Sequence, residues 1–420
     1  MSVDARSADT SFSLFGLWPS EEQDLVLRAA LLDGEAAVSA FREWAGRIDL
    51  EGDFDLATFG LLPLLYDNVR KLGITHPLVG RLKGAYRLAW YKNHKLFDDV
   101  RPALVALKGA GIRTMLLKGV PLVFATYGNH ALRPMGDVDV LVPTEHVAGA
   151  LEVLQGIGWH PFSTTSSDFF RYRHALCLID AAEHEIDLHW HCLFELSGPG
   201  NDDFLWSSAR PLDFNGIATL APDPTRHLIV TILHGLRWNP APPIRWIADA
   251  MTLLRKSGDE VAWDELVGFA KDARLSYRLH LGLSYLQQRF EAPVPPPVLA
   301  ELGRAGLSIV ERIENSVVLR DRRPLHATPI GNLWIIFGEY CRFARRAGWS
   351  EFMVGFSHYL RFRWKLRGRL EIPGVIWRGL VKRLRGHFAE PPPPVGGPHG
   401  VALLARTARP SAGHPEGRLS

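Results

Sequence analysis

The chain has 420 residues, of which 47% are hydrophobic and 22% charged, a balance that suits a soluble globular protein of more than one packed unit, because single cores seldom grow past about 250–300 residues. Three cysteines, Cys177, Cys192 and Cys341, are too few and too scattered for a disulfide framework or a paired zinc site, and the longest apolar runs fall far short of the roughly 20 residues of a membrane span, so a reducing cytoplasm is the expected location. The net charge of +3 is uneven: residues 342–387 hold twelve Lys and Arg against Glu351 and Glu371, a net +10, which leaves −7 on the remainder.

Residues 1–19 are expected to be disordered. Ser20-Glu-Glu-Gln23 then reads as an N-cap with its capping-box partner, ahead of Leu25, Leu27, Ala29, Leu31 and Leu32. Helical patterns cover 35–47, 55–72 and 77–108, the last expected to kink or break at Pro102, and residues 20–109 form an N-terminal helical unit. The pattern changes after Gly109-Ala-Gly111. Arg113-Thr-Met-Leu-Leu117 is a short apolar run, Lys118-Gly119 a turn, and Val120 to Tyr127 helical. Val138, Val140 and Val142 alternate with Asp137, Asp139 and Leu141 in the period of a strand, and Thr144 caps a helix to about Gly156. Runs Tyr172 to Ile179 and Glu185 to His191 read as a hairpin that supplies the remaining sheet. This order predicts an α/β (α+β) fold in which a small mixed sheet, residues 110–222, is embedded between helical units. Helices return from Pro224, over 225–238, 242–256, 260–272 and 276–290, as a unit of residues 223–292. A linker and helix over 293–330 follow, then basic amphipathic helices over 331–389, and a Pro- and Gly-rich tail, 390–420, expected to be disordered.

Strand alternation puts Asp137 and Asp139 on one face, with Cα atoms about 6.6 Å apart. Two carboxylates so placed repel one another unless a hard cation such as magnesium joins them, although Asp-x-Asp alone is equally a solvent-facing turn. The reading shifts with Asp187, which shares a face with Glu185, His189 and His191 on another strand. Three carboxylates on adjacent strands can hold two divalent ions about 3.5–4 Å apart, an arrangement for phosphoryl or nucleotidyl transfer.

A triphosphate also needs a cradle. Lys118-Gly119, between strand and helix, offers a cation and a glycine that lets amides approach phosphate, although Leu107-Lys-Gly109 repeats the tripeptide as a helix end. Arg133, four residues before Asp137, can clamp a phosphate or stay solvated. His189 and His191 are equally phosphate contacts, metal ligands or packing residues. His227, His234 and Arg237 fall near one helical face that could present a basic edge to a nucleotide. Arg245 and Asp249, at i and i+4, are expected to pair, and Trp246 to lie in the core.

Together these residues resemble the uncharacterised nucleotidyltransferase family of the polymerase-beta-like superfamily. The resemblance runs through most of residues 55–255 and rests on Ala110-Gly-Ile, Leu116-Leu-Lys-Gly119, Tyr127, Leu132-Arg133, Asp137-Val-Asp-Val-Leu-Val142, Gly158-Trp159, Ile186-Asp-Leu-His-Trp190, His234 and Arg245-Trp-Ile-Ala-Asp249. It implies a small mixed sheet with flanking helices, Asp137 and Asp139 as ligands of Mg2+ or Mn2+, and Asp187 as the third carboxylate. Lys118-Gly119 stands where the wider superfamily has Gly-Ser, and the gap to Asp137 is longer.

The expected activity is transfer of a nucleoside monophosphate from a nucleoside triphosphate, such as ATP, to an acceptor that the sequence does not identify, whether small molecule, peptide or protein, with release of pyrophosphate. Lys118, Gly119, Arg133, His189, His234 and Arg237 are the candidate nucleotide contacts. A second reading is a nucleotide-binding scaffold of a biosynthetic assembly without turnover. A third rests on residues 342–387, where Phe343, Trp349, Phe352, Phe356, Tyr359, Phe362, Trp364 and Trp377 interleave with arginines, a composition for peripheral contact with an anionic membrane or another anionic partner.

Overall fold

The computed structural model describes residues 18–49, 52–163, 167–197, 200–236, 244–308, 311–312, 329–344 and 348–384. Both termini expected to be disordered therefore lie outside the described residues, apart from Trp18 and Pro19, and so does Arg237.

The chain opens with helices α1 (Glu21–Leu31), α2 (Gly34–Arg47), α3 (Leu56–Phe59), α4 (Leu62–Lys71) and the long α5 (Val79–Gly109). The capping box at Ser20 is formed in both directions, with Ser20 Oγ accepting from the Gln23 amide and Gln23 Oε1 from that of Ser20. Of the kink or break expected at Pro102, the break does not occur: helix α5 runs on through it. Pro102 and Asp98, whose carbonyl loses its intrahelical partner, are both exposed, so water can satisfy the freed acceptor.

The sheet follows. Its strands are β1 (Met115–Leu116), β2 (Asp137–Leu141), β3 (His160–Pro161), β4 (Ala175–Ile179), β5 (Glu185–His189), β6 (Arg210–Phe214) and β7 (Ile217–Ala221), in the order β3-β4-β5-β2-β1-β7-β6. Pairs β2/β5 and β1/β7 are parallel and the others antiparallel. Between the strands lie α6 (Gly119–Pro121), a π-helical turn (Leu122–Tyr127), α7 (Val147–Gly156), α8 (Ser167–Tyr172) and α9 (Asp203–Trp206). Helices α10 (Pro224–Gly235), α11 (Arg245–Ser257), α12 (Trp263–Asp272), α13 (Ser276–Phe290) and α14 (Pro296–Arg304) come next, and then α15 (Pro329–Phe343), α16 (Trp349–Arg363) and α17 (Ile372–Leu384). This is an α/β fold in which a seven-stranded mixed sheet is embedded between helical flanks, and among the described residues no helix is long and apolar enough to cross a membrane.

Two expectations about the sheet need correcting. Tyr172 ends helix α8 instead of starting a strand, because its ring packs among Phe343, Tyr359 and Phe362 from the C-terminal helices. The hairpin β4-β5 does not complete the sheet, since β3 and the β6-β7 hairpin add three strands. Strand β6, Arg-Pro-Leu-Asp-Phe, lacks clean alternation and lies at the sheet edge, where the missing amide of Pro211 breaks no interior ladder.

Alternation divides the sheet between two cores. Leu116, Val138, Val140, Leu176, Leu178, Ile186 and Leu188 pack with the second half of α5 and with α7. Met115, Leu117 and Leu141 face the other way, into the larger core of α1, α2, α4 and α10–α14. Burying each such aliphatic side chain contributes about 1.5–3 kcal/mol, so the register is fixed and the acidic residues are forced onto the second face. A third, smaller cluster joins Tyr172 to Ile336, Tyr340, Tyr359 and Leu360, and there Arg361 pairs with Asp168.

Helices α10 and α11 meet at Gly235, where a Cβ would overlap Cβ and Cγ of buried Trp246. Neither atom lies at the end of a flexible side chain, so the helices themselves would have to part. Gly235→Ala is expected to lower the unfolding free energy by about 1–3 kcal/mol, read as an earlier urea midpoint with an unchanged slope; an unchanged midpoint would show that the helix contact is not tight.

Candidate active site

The parallel pairing of β2 and β5 sets Asp137 opposite Glu185, Asp139 opposite Asp187, and Leu141 opposite His189. Directly paired residues on adjacent strands point to the same face at a spacing of about 4.8 Å, so four carboxylates and an imidazole share one surface. Strand β4 adds Cys177 beside Asp187, and its thiol bonds that carboxylate. One ligand atom each from Asp139, Asp187 and His189 lie within 4.8 Å of one another.

Lys118 reaches this surface from the end of β1. The Leu117 amide donates to the Asp139 carbonyl at 3.0 Å, which continues the ladder and brings the next residue alongside the carboxylate. Lys118 Nζ forms an ion pair with Asp139 Oδ1. The backbone of Lys118 has φ 49° and ψ −105°, close to the first central residue of a type II′ turn, a conformation that glycine adopts readily and that costs a residue with a Cβ about 1–3 kcal/mol. Two contacts hold it there: the ion pair, and the Lys118 carbonyl, which accepts from Nε2 of buried His227 on α10 at 3.0 Å.

His189 is fixed on both ring nitrogens. Nδ1 donates to the His191 carbonyl at 3.1 Å and Nε2 lies 2.9 Å from Asp139 Oδ1. The imidazole that acts as a metal ligand is commonly oriented in this way, by a carbonyl on its other nitrogen. His191 pairs with Asp202 at 2.6 Å, which in turn accepts the Cys192 amide.

The charges are unequal in their response. Burial, with Asp139 and Asp187 as neighbours, pushes the Asp137 carboxyl up to about 6. Burial pushes Asp139 the same way, but Lys118 and His189 outweigh it and hold this carboxyl well below its ordinary range. Burial and the charges of Asp137 and Asp187 raise Glu185 to about 7. For Lys118 burial acts to lower the pKa, and the carboxylates of Asp139, Asp187 and Asp137 reverse the sign, so the ammonium persists. Burial takes His227 down to about 4, a neutral ring at neutral pH.

Arg133 stands beside the Lys118-Gly119 turn. Its Nε and Nη2 bond the two oxygens of Asp249 on α11 at 3.0–3.1 Å, and Tyr127 adds its hydroxyl to Asp249 Oδ1 at 3.0 Å. Nη1 lies against Gly119, where a Cβ would overlap it. The expected pairing of Arg245 with Asp249 gives way to this arrangement: Arg245 Nη1 donates to the Pro134 carbonyl at 2.7 Å. A partner 116 residues away competes successfully with one four residues away because the fork of Arg133 meets the carboxylate through parallel bonds.

Asn93 on α5 is the positioning residue that sequence reasoning missed. Its Nδ2 donates to the carbonyls of His130 and Arg133, and its Oδ1 accepts the Met135 amide at 3.0 Å, so the fully buried side chain pins the segment before Asp137. The available signal was an amide between Ala89 and Leu96 on an otherwise apolar helix face. His234 sits half-buried on α10, two turns beyond His227, and Arg237 lies outside the described residues.

Comparison with known proteins bears on the same segment. No curated protein matches the chain. A solved nucleotidyltransferase-like antigenic protein from Paracoccidioides brasiliensis aligns over 52% of this chain and 95% of its own, at 15% identity and a TM-score of 0.32. The family described as uncharacterised nucleotidyltransferase matches residues 56–291, more than half of the chain and the whole stretch from α3 to α13 that builds the acidic surface, and the protein belongs to that family.

Proposed function

We propose that the acidic surface is the active centre of a divalent-metal-dependent transfer of a nucleoside monophosphate from a nucleoside triphosphate to an acceptor hydroxyl or phosphate. The observation that carries the reading is the register of β2 with β5, which sets Asp139 against Asp187 on the face that also holds Asp137 and His189. The donor set fits a hard cation. Four carboxylates share the surface with the ammonium of Lys118, so negative charge remains for a bound ion to offset, and the raised Asp137 and Glu185 reflect the cost of holding the carboxylates together.

Asp137, Asp139 and Asp187 would hold Mg2+ or Mn2+, with His189 at the edge of the set. Such an ion neutralises phosphate charge and lowers the pKa of an attacking hydroxyl. The chain's own groups do the rest. Asp187 would accept the proton of the acceptor hydroxyl as the new bond to the α-phosphorus forms. The bond from that phosphorus to the bridging oxygen breaks, and pyrophosphate leaves with the electron pair beside the cations of Lys118 and Arg133. Gly119, which has no Cβ, leaves the room in which the Arg133 guanidinium lies against the turn.

The ion pair of Lys118 with Asp139 supports a second reading, in which the ammonium stands in for the metal and the protein binds nucleotide without turnover. Substitution of Lys118 separates the two. If Lys118 holds pyrophosphate, Lys118→Ala lowers labelled-nucleotide transfer at least about a hundredfold; a variant with tighter Mn2+ binding and no product would establish the second reading. Asp139→Asn is expected to abolish both Mn2+ binding by calorimetry and transfer, and retention of both would overturn the metal site.

The raised Asp137 also makes a pH prediction. Its folded value of about 6 lies above the ordinary 3.8, so between these values the folded state binds more protons than the unfolded one, and metal-free stability contributed by this group falls as pH rises through the window. The stabilising contribution of Asp139 is already complete above its unfolded value and is constant there. Asp137→Asn is therefore expected to gain in melting temperature relative to the parent as pH goes from 5 to 7 in chelator, and to lose that gain when Mg2+ is added. A pH-independent difference between the two proteins would contradict the assignment.

A further inference from the structure

The C-terminal helices carry an apolar stripe that the proposed transfer does not use. Leu370 lies in the 3₁₀ turn Arg369–Glu371 that leads directly into α17, and is 96% exposed. Pro373 and Trp377 follow at the third and seventh positions, both exposed, Trp377 by 68%. In continuous helical geometry that spacing is one face, so three apolar side chains form a strip open to solvent. Exposed Arg367, Arg369 and Arg378 flank it. The one carboxylate of the turn, Glu371, folds back to accept the Gly368 amide at 3.1 Å.

We propose that this corner docks on the surface of a bilayer that contains anionic lipid, with Leu370, Pro373 and Trp377 entering the headgroup boundary and the arginines resting on lipid phosphates. Charge complementarity selects the occupant. A second copy of the chain would bring the same arginines against one another across a symmetric contact. A nucleic acid would pair with the cations and stack on Trp377, yet it has no use for a nearly bare leucine and a proline in the same strip. A bilayer uses both halves of the surface, apolar insertion and electrostatic attraction. The corner is tied to the catalytic unit through Tyr172, packed on Phe343 and Tyr359, and through the ion pair of Arg361 with Asp168. Docking would thereby fix how the acidic surface faces the membrane.

The test is co-sedimentation of the full chain with phosphatidylcholine vesicles, with and without admixed phosphatidylglycerol. Binding is expected only with the anionic lipid, and is expected to weaken as salt is raised. Each basic residue near an anionic surface is worth about fivefold in affinity, so Arg367→Glu with Arg369→Glu should reduce binding by more than about tenfold. Leu370→Ser with Trp377→Ser should reduce it independently of charge. All four side chains are exposed, so the parent's thermal melt should be retained, and labelled-nucleotide transfer in solution serves as a separate readout that does not depend on docking. Equal sedimentation with neutral and anionic vesicles would overturn the proposal. So would parental binding by both double variants, salt-sensitive binding to single-stranded RNA in preference to vesicles, or a dimer in velocity sedimentation that the Leu370→Ser, Trp377→Ser variant loses.

Discussion

Asp139 facing Asp187 across a parallel strand pair is the constraint around which the rest of the structure is organised. The pairing is imposed from the opposite side of the sheet, where Val138, Val140, Ile186 and Leu188 fill a core that a one-residue slip would turn out into solvent. Hydrophobic burial thus holds carboxylates together against their mutual repulsion. That repulsion is offset by a cation, Lys118, on an oxygen of Asp139 that His189 Nε2 also bonds. The ammonium sits on one oxygen of one carboxylate, Asp139, while the charges of Asp137 and Asp187 act on it from the same surface.

The helical units serve the sheet by fixing its approach loops. Helix α5 contributes Asn93 to the segment ahead of Asp137, α10 contributes His227 to the Lys118 carbonyl, and α11 contributes Arg245 and Asp249 to Pro134 and Arg133. Each is a polar group that bonds one of these loops, and Asn93, His227 and Asp249 are buried. Such networks are costly when half made, so the three helices must dock together for any of the loops to settle. The family match spans these helices as well as the strands, as expected if the loops cannot be positioned without them.

The strands around the acidic residues were legible in the sequence because alternation is a local signal: Val138 and Val140 against Asp137 and Asp139, and Ile186 and Leu188 against Glu185 and Asp187, sort themselves by a period of two. The cap at Ser20 was legible for the same reason. What could not be read is whatever depends on a distant partner. Asp249 has an arginine four residues before it in sequence and chooses Arg133 in space. Asn93 looks like an ordinary interruption of a helix face until the loop 40 residues away is placed on it. Tyr172 continues an apparent strand run and is drawn into a helix by rings from α15 and α16. In each case tertiary contact overrode the local pattern, and no spacing rule would have shown it.

The Lys118-Gly119 pair forms a tight turn with a lysine in its strained position. Lys118, and not Gly119, takes the positive-φ conformation that normally favours glycine. Gly119 is needed for space, since the guanidinium of Arg133 lies where its Cβ would be. The strain at Lys118 is offset by contacts at both ends of the residue, its ammonium on Asp139 and its carbonyl on His227. A lysine in this conformation therefore puts a cation at the acidic surface and, through the same backbone, aligns the turn with α10. A glycine could adopt the turn more easily but would deliver no charge. The sequence exchanges backbone ease for a positioned ammonium, and that exchange is stable only while Asp139 remains ionised, which the buried ion pair itself ensures.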